Sequence, residues 1–388
     1  MKHELPRQRL PVPTGTPMLT AASRVILLLG ALLTARLATA QAPALVDPYA
    51  PGRALITDLD RIVTPRGVQE TFEVTLGGAR QVVNVRGADR NNPILIYVHG
   101  GPGAVEMPFA WAFQRPWEDF FTVVQWDQRG AGRSYLLNDP KALAPTLTIE
   151  RYRDDTIELI DLLRKKYGKQ KVFLLGHSWG SVVGLSVAAQ RPDLLYAYIG
   201  MGQFIDPAGG ERASYQWTLA QARAEHNTQA VAQLQALEPY PGDFAIQKID
   251  GERKWAVHYG GLFYGHPDGD FYFHLARLSP EYTPADRQAW DDGSAYTVKI
   301  VEPLLAKASF TQLDHLACPV FMFEGRHDEL IPSAITAAWL ERLKAPRKAT
   351  VWFENSGHMM MIEEPGRVLV ALLEYARPLA EPGKAASP

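Results

Sequence analysis

The sequence predicts an α/β protein with a mostly parallel sheet, helices on both faces of that sheet and an inserted, mainly helical cap. Three observations lead to this prediction. Short apolar runs alternate with segments whose apolar residues recur at helical spacing, as in strand–helix–strand units. The alternation stops between residues 203 and 313 and then resumes. Apolar residues make up 46% of the 388 residues and charged residues 21%, so the chain can bury a large core.

The first half of the chain supplies most of the predicted strands. Residues 71–76 and 81–86 alternate in polarity around Gly77-Gly78, which predicts a hairpin. Ile94–Val98 is continuously apolar, as expected for a strand covered on both faces. Further strand-like runs lie at residues 122–126, 172–175 and 196–201.

One predicted helix carries signals at both of its ends. Apolar residues recur at helical spacing through Ile149–Tyr167. Thr148 can cap the start of this helix and Gly168 its end. The strand-like run at residues 172–175 follows directly, in keeping with a parallel strand–helix–strand unit.

The segment from residue 203 to residue 313 is predicted to be the cap. Residues 213–237 are predicted to be helical, and the rest mixes aromatic with turn-forming residues. The alternative, a second independent domain, is disfavoured because the strand–helix alternation returns afterwards. The core is therefore assigned to residues 71–202 and 314–378, and residues 379–388 to a flexible tail. The second part of the core has predicted strands at residues 320–324 and 349–354, and predicted helices at residues 333–344 and 364–375.

The N-terminus has the pattern of a cleaved secretory signal. Basic residues precede an apolar stretch at residues 25–33, and Ala38-Thr39-Ala40 fits the cleavage pattern, with Met18 as an alternative start. A membrane-spanning helix is the alternative, but it needs about 20 apolar residues, and Arg36 ends this run early. We expect cleavage after Ala40, a linker and lead-in at residues 41–70, and a periplasmic or secreted protein without a stable membrane anchor. An intact N-terminus in the mass spectrum of the mature protein would contradict this.

Composition excludes several functions. The net charge is −2 and no basic patch dominates, so no nucleic-acid partner is expected. The single cysteine, Cys318, cannot form an intrachain disulfide, and its apolar surroundings predict a buried structural thiol. Cysteine and histidine residues do not cluster at metal-ligand spacing, so the prediction includes no metal and no cofactor.

A strand, a sharp turn and a helix meet at Ser178. The run at residues 172–175 leads into Gly-His-Ser-Trp-Gly at residues 176–180, and a small, apolar helical segment follows. This arrangement resembles the nucleophile elbow of the α/β-hydrolases. Side chains at Gly176 or Gly180 would collide with the neighbouring strand or helix. The alternative is a glycine-rich turn that carries an ordinary serine.

A serine nucleophile needs a base, and the base needs an acid that orients it. In this fold these residues follow in the order Ser, Asp or Glu, His. Asp328 follows the strand at residues 320–324, and His358 follows the strand at residues 349–354. We therefore assign Ser178 as the nucleophile, His358 as the general base and acid, and Asp328 as the orienting acid. The rival residues are Glu324, Glu329 and His327.

Two backbone N–H groups are needed to bind the oxyanion. The residue after the nucleophile, Trp179, should supply one. The sequence His-Gly-Gly-Pro-Gly at residues 99–103 should supply the other, through Gly101, because Pro102 has no N–H. A cis bond at Pro102 would fix the shape of this loop. The alternative is a tight turn without a chemical role. For the charges at Asp127, Arg129 and Arg133, an ion pair that holds the loop is favoured over substrate binding.

Five motifs in order resemble the proline iminopeptidases: His-Gly-Gly-Pro-Gly at residues 99–103, Asp-Gln-Arg-Gly-Ala-Gly-Arg-Ser at 127–134, Gly-His-Ser-Trp-Gly-Ser at 176–181, Gly-Arg-His-Asp at 325–328 and Gly-His at 357–358. The resemblance implies a capped α/β-hydrolase that removes N-terminal proline from peptides through an acyl-enzyme. Cap carboxylates hold the substrate amine in that family, so Glu211 and Glu225 are candidates here. The family's Trp-x-x-Trp-Glu cap motif is missing, and His177 stands where glycine is usual.

The sequence therefore leaves three candidate functions. The leading one is an exported serine aminopeptidase that acts on short peptides. A carboxylesterase or lactonase with a divergent cap, acting on a small-molecule ester, is the first alternative. A non-catalytic binding protein on a hydrolase scaffold is the second, and it predicts a broken triad, whereas all three residues are present in this sequence.

Overall fold

The computed structural model describes residues 47–266 and 269–381, so the predicted signal segment and residues 382–388 of the predicted tail lie outside the described residues. Within the described residues there are eight strands: β1 (Val68–Leu76), β2 (Ala79–Gly87), β3 (Ile94–Val98), β4 (Thr122–Asp127), β5 (Val172–His177), β6 (Leu195–Met201), β7 (Val320–Gly325) and β8 (Lys348–Phe353). They form one sheet in the order β1-β2-β4-β3-β5-β6-β7-β8.

The α-helices surround this sheet and form most of the inserted segment. They are α1 (Ala50–Leu59), α2 (Gly132–Leu136), α3 (Pro140–Leu143), α4 (Ile149–Tyr167), α5 (Trp179–Gln190), α6 (Pro207–Ala224), α7 (Thr228–Gln235), α8 (Ile246–His258), α9 (Asp270–Arg277), α10 (Pro284–Val301), α11 (Ser333–Arg342), α12 (Met360–Glu363) and α13 (Pro365–Ala371). Other helical segments, 3-10 or π in type, lie at Met107–Ala112, Arg115–Asp119, Ala144–Thr146, Pro192–Leu194, Glu302–Lys307, Leu372–Ala376 and Arg377–Ala380.

The sheet is mostly parallel, as predicted. β1 and β2 form the antiparallel hairpin predicted around Gly77-Gly78, and β2 pairs antiparallel with β4. From β4 to β8 every pair is parallel. Alternate residues of β3 join two different hydrophobic clusters, Ile96 on one face of the sheet and Leu95 on the other. Burial on both faces explains why this strand is continuously apolar.

Helix α4 has the bounds and caps that the sequence predicts. The Thr148 hydroxyl accepts a hydrogen bond from the Arg151 N–H at 3.2 Å, and Gly168 ends the helix in the left-handed conformation at φ 64°. Leu159, Ile160 and Leu163 point into the core. Local signals and burial agree here, which is why the prediction succeeded.

The predicted linker and lead-in at residues 41–70 contain a helix that was not predicted from the sequence, α1 at Ala50–Leu59. Pro51 lies in the first turn of the helix, where its missing N–H costs nothing. Arg53 forms an ion pair with Asp47 at 2.5 Å and donates to the Arg277 carbonyl at 2.9 Å. The helix is therefore fixed by contacts with a distant part of the chain, which an Ala- and Pro-rich composition does not reveal.

The inserted segment has two parts with different attachments. Helices α6, α7 and α8 enclose a small apolar cluster of their own that includes Tyr215, Leu234 and Trp255. Helix α10 instead packs on the core, where the Thr297 hydroxyl donates to the Gly130 carbonyl at 2.8 Å and the Trp290 indole donates to the Val105 carbonyl at 3.0 Å. The first part therefore has an apolar cluster of its own, whereas α10 is hydrogen-bonded directly to the core.

Two predicted helices differ from the structure. The single helix predicted at residues 213–237 is two helices, since α6 ends at Ala224, His226 has φ 56°, and the Asn227 side chain caps α7 through the Ala230 N–H. The predicted final helix at residues 364–375 becomes α13 followed by a π-helical turn at Leu372–Ala376. In the described part of the chain, no helix combines the length and hydrophobicity required to span a bilayer.

Candidate active site

Ser178 lies at the tip of the turn between β5 and α5. Its backbone has φ 53° and ψ −121°, a conformation that L-residues rarely adopt, and its N–H donates to the Met201 carbonyl at 3.0 Å. A Cβ on Gly176 would overlap the Gly180 carbonyl, and one on Gly180 would overlap the Val98 carbonyl. The predicted strand–turn–helix and the reason for its two glycines are therefore confirmed.

Asp328 and His358 lie side by side after β7 and β8. Asp328 Oδ2 is 2.6 Å from His358 Nδ1, and Oδ1 accepts the N–H groups of Leu330 and Ile331 at 3.1 and 2.9 Å. A carboxylate that accepts three hydrogen bonds is fixed in orientation. Because Nδ1 donates its proton to Asp328, Nε2 of His358 is left with its lone pair free to accept one.

Gly202 is a supporting residue that sequence reasoning missed. It follows β6 with φ 56°, and a Cβ there would lie 2.7 Å from His358 Cε1 and 3.3 Å from Asp328 Oδ2. Any side chain at this position would displace the histidine. A glycine directly after a core strand was the available signal, but such glycines are common at turns.

Ser178 and His358 line one cavity of about 270 Å³ between the sheet and the inserted helices. Among the described residues no hydrogen bond joins Ser178 Oγ to the His358 ring. Catalytic hydrogen bonds are often long before substrate binds. Other residues of the wall are Gly101, Trp179, Phe204, Glu211, Ile249, Asp250, Arg253, Val298, Glu302 and Leu305. A cavity of about 500 Å³ near Lys166 and Tyr167 contains neither Ser178 nor His358.

Gly101 and Trp179, the predicted oxyanion donors, both face this cavity. Gly101 has φ 110° and its bond to Pro102 is cis. Within the described residues, neither N–H donates to a backbone carbonyl outside its own helix or strand. Trp179 begins α5, and the first N–H groups of a helix have no partner within it. Both groups are therefore available to an oxygen atom next to Ser178.

The rival acids and histidine have other surroundings. Glu324 is completely buried in β7, and burial raises the pKa of its carboxyl well above the usual range. Burial likewise raises the pKa of Glu329 to about 7. The His327 ring stacks on Tyr264 with 3.6 Å between ring centroids. Asp328 alone of these three acids is hydrogen-bonded to the His358 ring within the described part of the chain.

The two predicted amine ligands have different positions. Glu211 lines the cavity, but its carboxylate already bonds the Tyr240 hydroxyl and the Arg253 guanidinium. Glu225 lies exposed at the C-terminal end of α6 and outside the cavity wall, so the structure corrects this candidate. It follows Glu211 by almost four helical turns, which places it far along the helix axis.

Glu302 and Asp250 are acids of the cavity wall that sequence reasoning missed. The half-buried Glu302 side chain forms no hydrogen bond or ion pair within the described residues. Burial raises its pKa to about 7, while the Arg253 guanidinium acts in the opposite direction. Asp250 is exposed to solvent. These acids lie on α8 and on the segment after α10, far apart in the sequence, and both line the same cavity, so no local pattern predicts them.

The Asp127, Arg129 and Arg133 charges hold the loop, as predicted. Arg129 forms a buried ion pair with Asp155 at 2.7 Å and donates to the Leu76 carbonyl at 3.0 Å. Arg133 pairs with Asp127 at 3.3 Å. Burying such charges is favourable only when they are paired and hydrogen-bonded, as they are here. Their role is structural.

The inserted segment directly contacts the loop that carries His358. The His358 N–H donates to the Leu262 carbonyl at 2.9 Å. Glu363 accepts from the N–H groups of Tyr264 and Gly357 at 2.6 and 2.9 Å. Residues 261–264 thus connect cap and core beside the histidine. Among the described residues there is no group of three or more metal-ligating side chains.

Comparison with known proteins agrees with this architecture. Residues 93–365 match the family described as "alpha/beta hydrolase fold". The chain is 30% identical over 308 residues to "Probable aminopeptidase YbaC" of Bacillus subtilis (strain 168), covering 79% of this chain and 95% of that one. It is 27% identical over 302 residues to the proline iminopeptidase of Neisseria gonorrhoeae, covering 73% of this chain and 88% of that one. The crystal structure of the Mycobacterium smegmatis proline iminopeptidase superposes with a TM-score of 0.58 at 18% identity, covering 80% and 98% of the two chains.

Proposed function

Since the chain belongs to the alpha/beta hydrolase fold family, we propose that it is an exported serine hydrolase, an aminopeptidase that releases N-terminal proline or a similar residue from short peptides. The proposed export rests on the signal-like N-terminal sequence. The proposed chemistry rests on the cavity shared by Ser178 and His358. The names of its relatives, an aminopeptidase and a proline iminopeptidase, support the proposed substrate class.

The proposed reaction passes through an acyl-enzyme. Ser178 Oγ attacks the substrate carbonyl while His358 Nε2 takes the hydroxyl proton, and Asp328 stabilises the imidazolium that forms. The N–H groups of Gly101 and Trp179 bind the oxyanion. His358 then gives its proton to the leaving amine as the carbon–nitrogen bond breaks. A water molecule, activated by the same histidine, hydrolyses the ester and restores Ser178.

The carboxylate of Glu302 is the observation that best supports a substrate with a free amine. It lines the same cavity as Ser178 and, within the described residues, forms no hydrogen bond or ion pair, although the Arg253 guanidinium is near enough to lower its pKa. A substrate ammonium group could therefore form the direct ion pair that Glu302 does not make with Arg253. Glu211 is neutralised by Arg253, so Glu302, assisted by Asp250, is the better binding group for an amine. An N-terminal amine close to the scissile carbonyl is the defining feature of an aminopeptidase substrate.

We predict that Glu302→Gln weakens the binding of amine substrates selectively. A hydrogen bond to a charged group contributes about 1.5–3 kcal/mol, so KM for a proline arylamide should rise about 10- to 100-fold. The KM of a short acyl ester without an amine should change less than about twofold, since it makes no contact that depends on the carboxylate charge. Steady-state kinetics with both substrates on the purified mature protein measure this. Glu225→Gln is the matched control, because Glu225 is exposed and outside the cavity.

The preference for the arylamide over the ester should also depend on pH. Glu302 has its pKa raised to about 7, so its anionic form accumulates as the pH rises through that value. The kcat/KM of the arylamide divided by that of the ester should rise across this range and fall again as the substrate amine loses its proton near pH ~8. Glu302→Gln should remove the rise. Turnover of esters alone by the wild-type protein would refute the aminopeptidase proposal.

One observation favours an esterase or lactonase as the second candidate. Glu211, the acid suggested by the family resemblance, is already bonded to Arg253 and Tyr240. If Glu302 does not bind amines, the remaining wall is largely apolar and suits a neutral acyl group. The non-catalytic alternative predicts that a serine-directed fluorophosphonate fails to label the protein.

A further inference from the structure

His177 occupies the position before Ser178 and has no role in the proposed reaction. It is the last residue of β5, and its side chain is only 2% exposed. The cavity wall does not include it. Its ring lies over the ring of His358, with 4.8 Å between the ring centroids and 37° between the ring planes. A large polar side chain is therefore buried directly against the proposed base.

Both ring nitrogens of His177 face acceptors. Nδ1 lies 2.6 Å from Glu106 Oε1, and Nε2 lies 3.2 Å from the backbone carbonyl oxygen of His358. A carbonyl can only accept, so Nε2 carries a proton. Burial lowers the pKa of His177, but the Glu106 carboxylate outweighs this and the pKa is raised. His177 and Glu106 thus form a buried charged pair.

The His358 residue is held at three points. Its N–H donates to Leu262, its carbonyl accepts from His177, and its ring is bonded to Asp328. The first and last of these contacts do not involve the carbonyl group of His358. The His177 contact restrains that carbonyl and, through the backbone of His358, the position of its ring. Precise placement matters because a displacement of about 1 Å can cost about 10²-fold in rate.

We propose that the His177–Glu106 pair positions His358 for proton transfer: Glu106 holds the His177 ring, and His177 Nε2–H holds the His358 carbonyl. His177 is a positioning residue and does not contact the substrate. The inference rests on the proposed function, in which His358 is the base. The proposal also gives a role to His177, which stands at an elbow position where the proline iminopeptidases usually have glycine.

Two substitutions separate the two contacts of the ring. In His177→Gln the side-chain amide can take the place of Nε2 and still donate to the His358 carbonyl. In His177→Asn the shorter amide takes the place of Nδ1 and keeps only the Glu106 contact. Glu106→Gln/His177→Gln repeats the first variant without leaving a buried carboxylate unpaired. The readouts are kcat, KM, the rate of labelling by a fluorophosphonate, and the thermal midpoint Tm.

We expect His177→Asn to lower kcat and the labelling rate by the same factor, about 10- to 100-fold, with KM changed less than about twofold. His177→Gln, or its double variant where the single one has a lower Tm, should remain within about threefold of the wild type. If His177 only stabilised the fold, the loss of kcat in each variant would instead parallel its loss of Tm. Equal losses in both, no loss in either, or a loss confined to KM would overturn the proposal. Absence of wild-type labelling would instead refute the proposed function, and this inference with it.

Discussion

Ser178→Ala should lower kcat by about 10⁴-fold or more, because the proposed acyl-enzyme forms on the oxygen that this substitution removes. The stability of the protein should hardly change, since the side chain makes no hydrogen bond to another described residue. The strained backbone at φ 53° is set by the turn and accepts alanine as it accepts serine. Turnover, labelling by a fluorophosphonate and urea unfolding measure these effects.

Ser186→Ala is the matched control for this substitution. Ser186 lies on the same helix, α5, and its hydroxyl donates to the Val182 carbonyl at 2.7 Å, away from the cavity. We expect activity close to that of the wild type. If Ser178→Ala retained more than about a tenth of the wild-type kcat, acyl transfer through this residue would be excluded.

Asp328→Asn should lower kcat by about 10³- to 10⁴-fold with the cavity intact. The asparagine oxygen can still accept the N–H groups of Leu330 and Ile331. Its NH₂ group would then face His358 Nδ1, which must accept instead of donate. The imidazole is forced into the tautomer with its proton on Nε2, and that nitrogen can no longer take the proton of Ser178.

Glu329→Gln tests the rival acid next to Asp328. Glu329 does not bond the His358 ring in the described structure. The kcat of Glu329→Gln should therefore stay within about threefold of the wild-type value. A loss as large as that of Asp328→Asn would show that the orienting acid is misassigned. Steady-state kinetics near neutral pH, together with Tm values for both variants, separate these results.

The core was predictable because its signals are local. Helix α4 carries its own caps, and the elbow has two glycines whose absent side chains would overlap neighbouring backbone. The order of Asp328 and His358 along the chain follows from the order of the parallel strands that end beside Ser178. The predicted resemblance to the proline iminopeptidases is confirmed by relatives that match over most of their length.

The cap was less predictable because its contacts join distant residues. Glu302 shares the cavity wall with residues of α6 and α8 that are distant in the sequence, and Glu225 lies outside the wall at the far end of α6. The break at His226 depends on one residue with φ 56°, which helix propensity does not reveal. Helix α1 likewise depends on its contact with Arg277.

The hydrogen bond from His358 to Leu262 couples the attachment of the cap to the position of the imidazole. None of residues 261–264 lines the cavity. Displacing this strip would nevertheless remove a backbone restraint from His358. Damage to the cap at this point would therefore be felt at the imidazole without any change in the groups that surround the substrate.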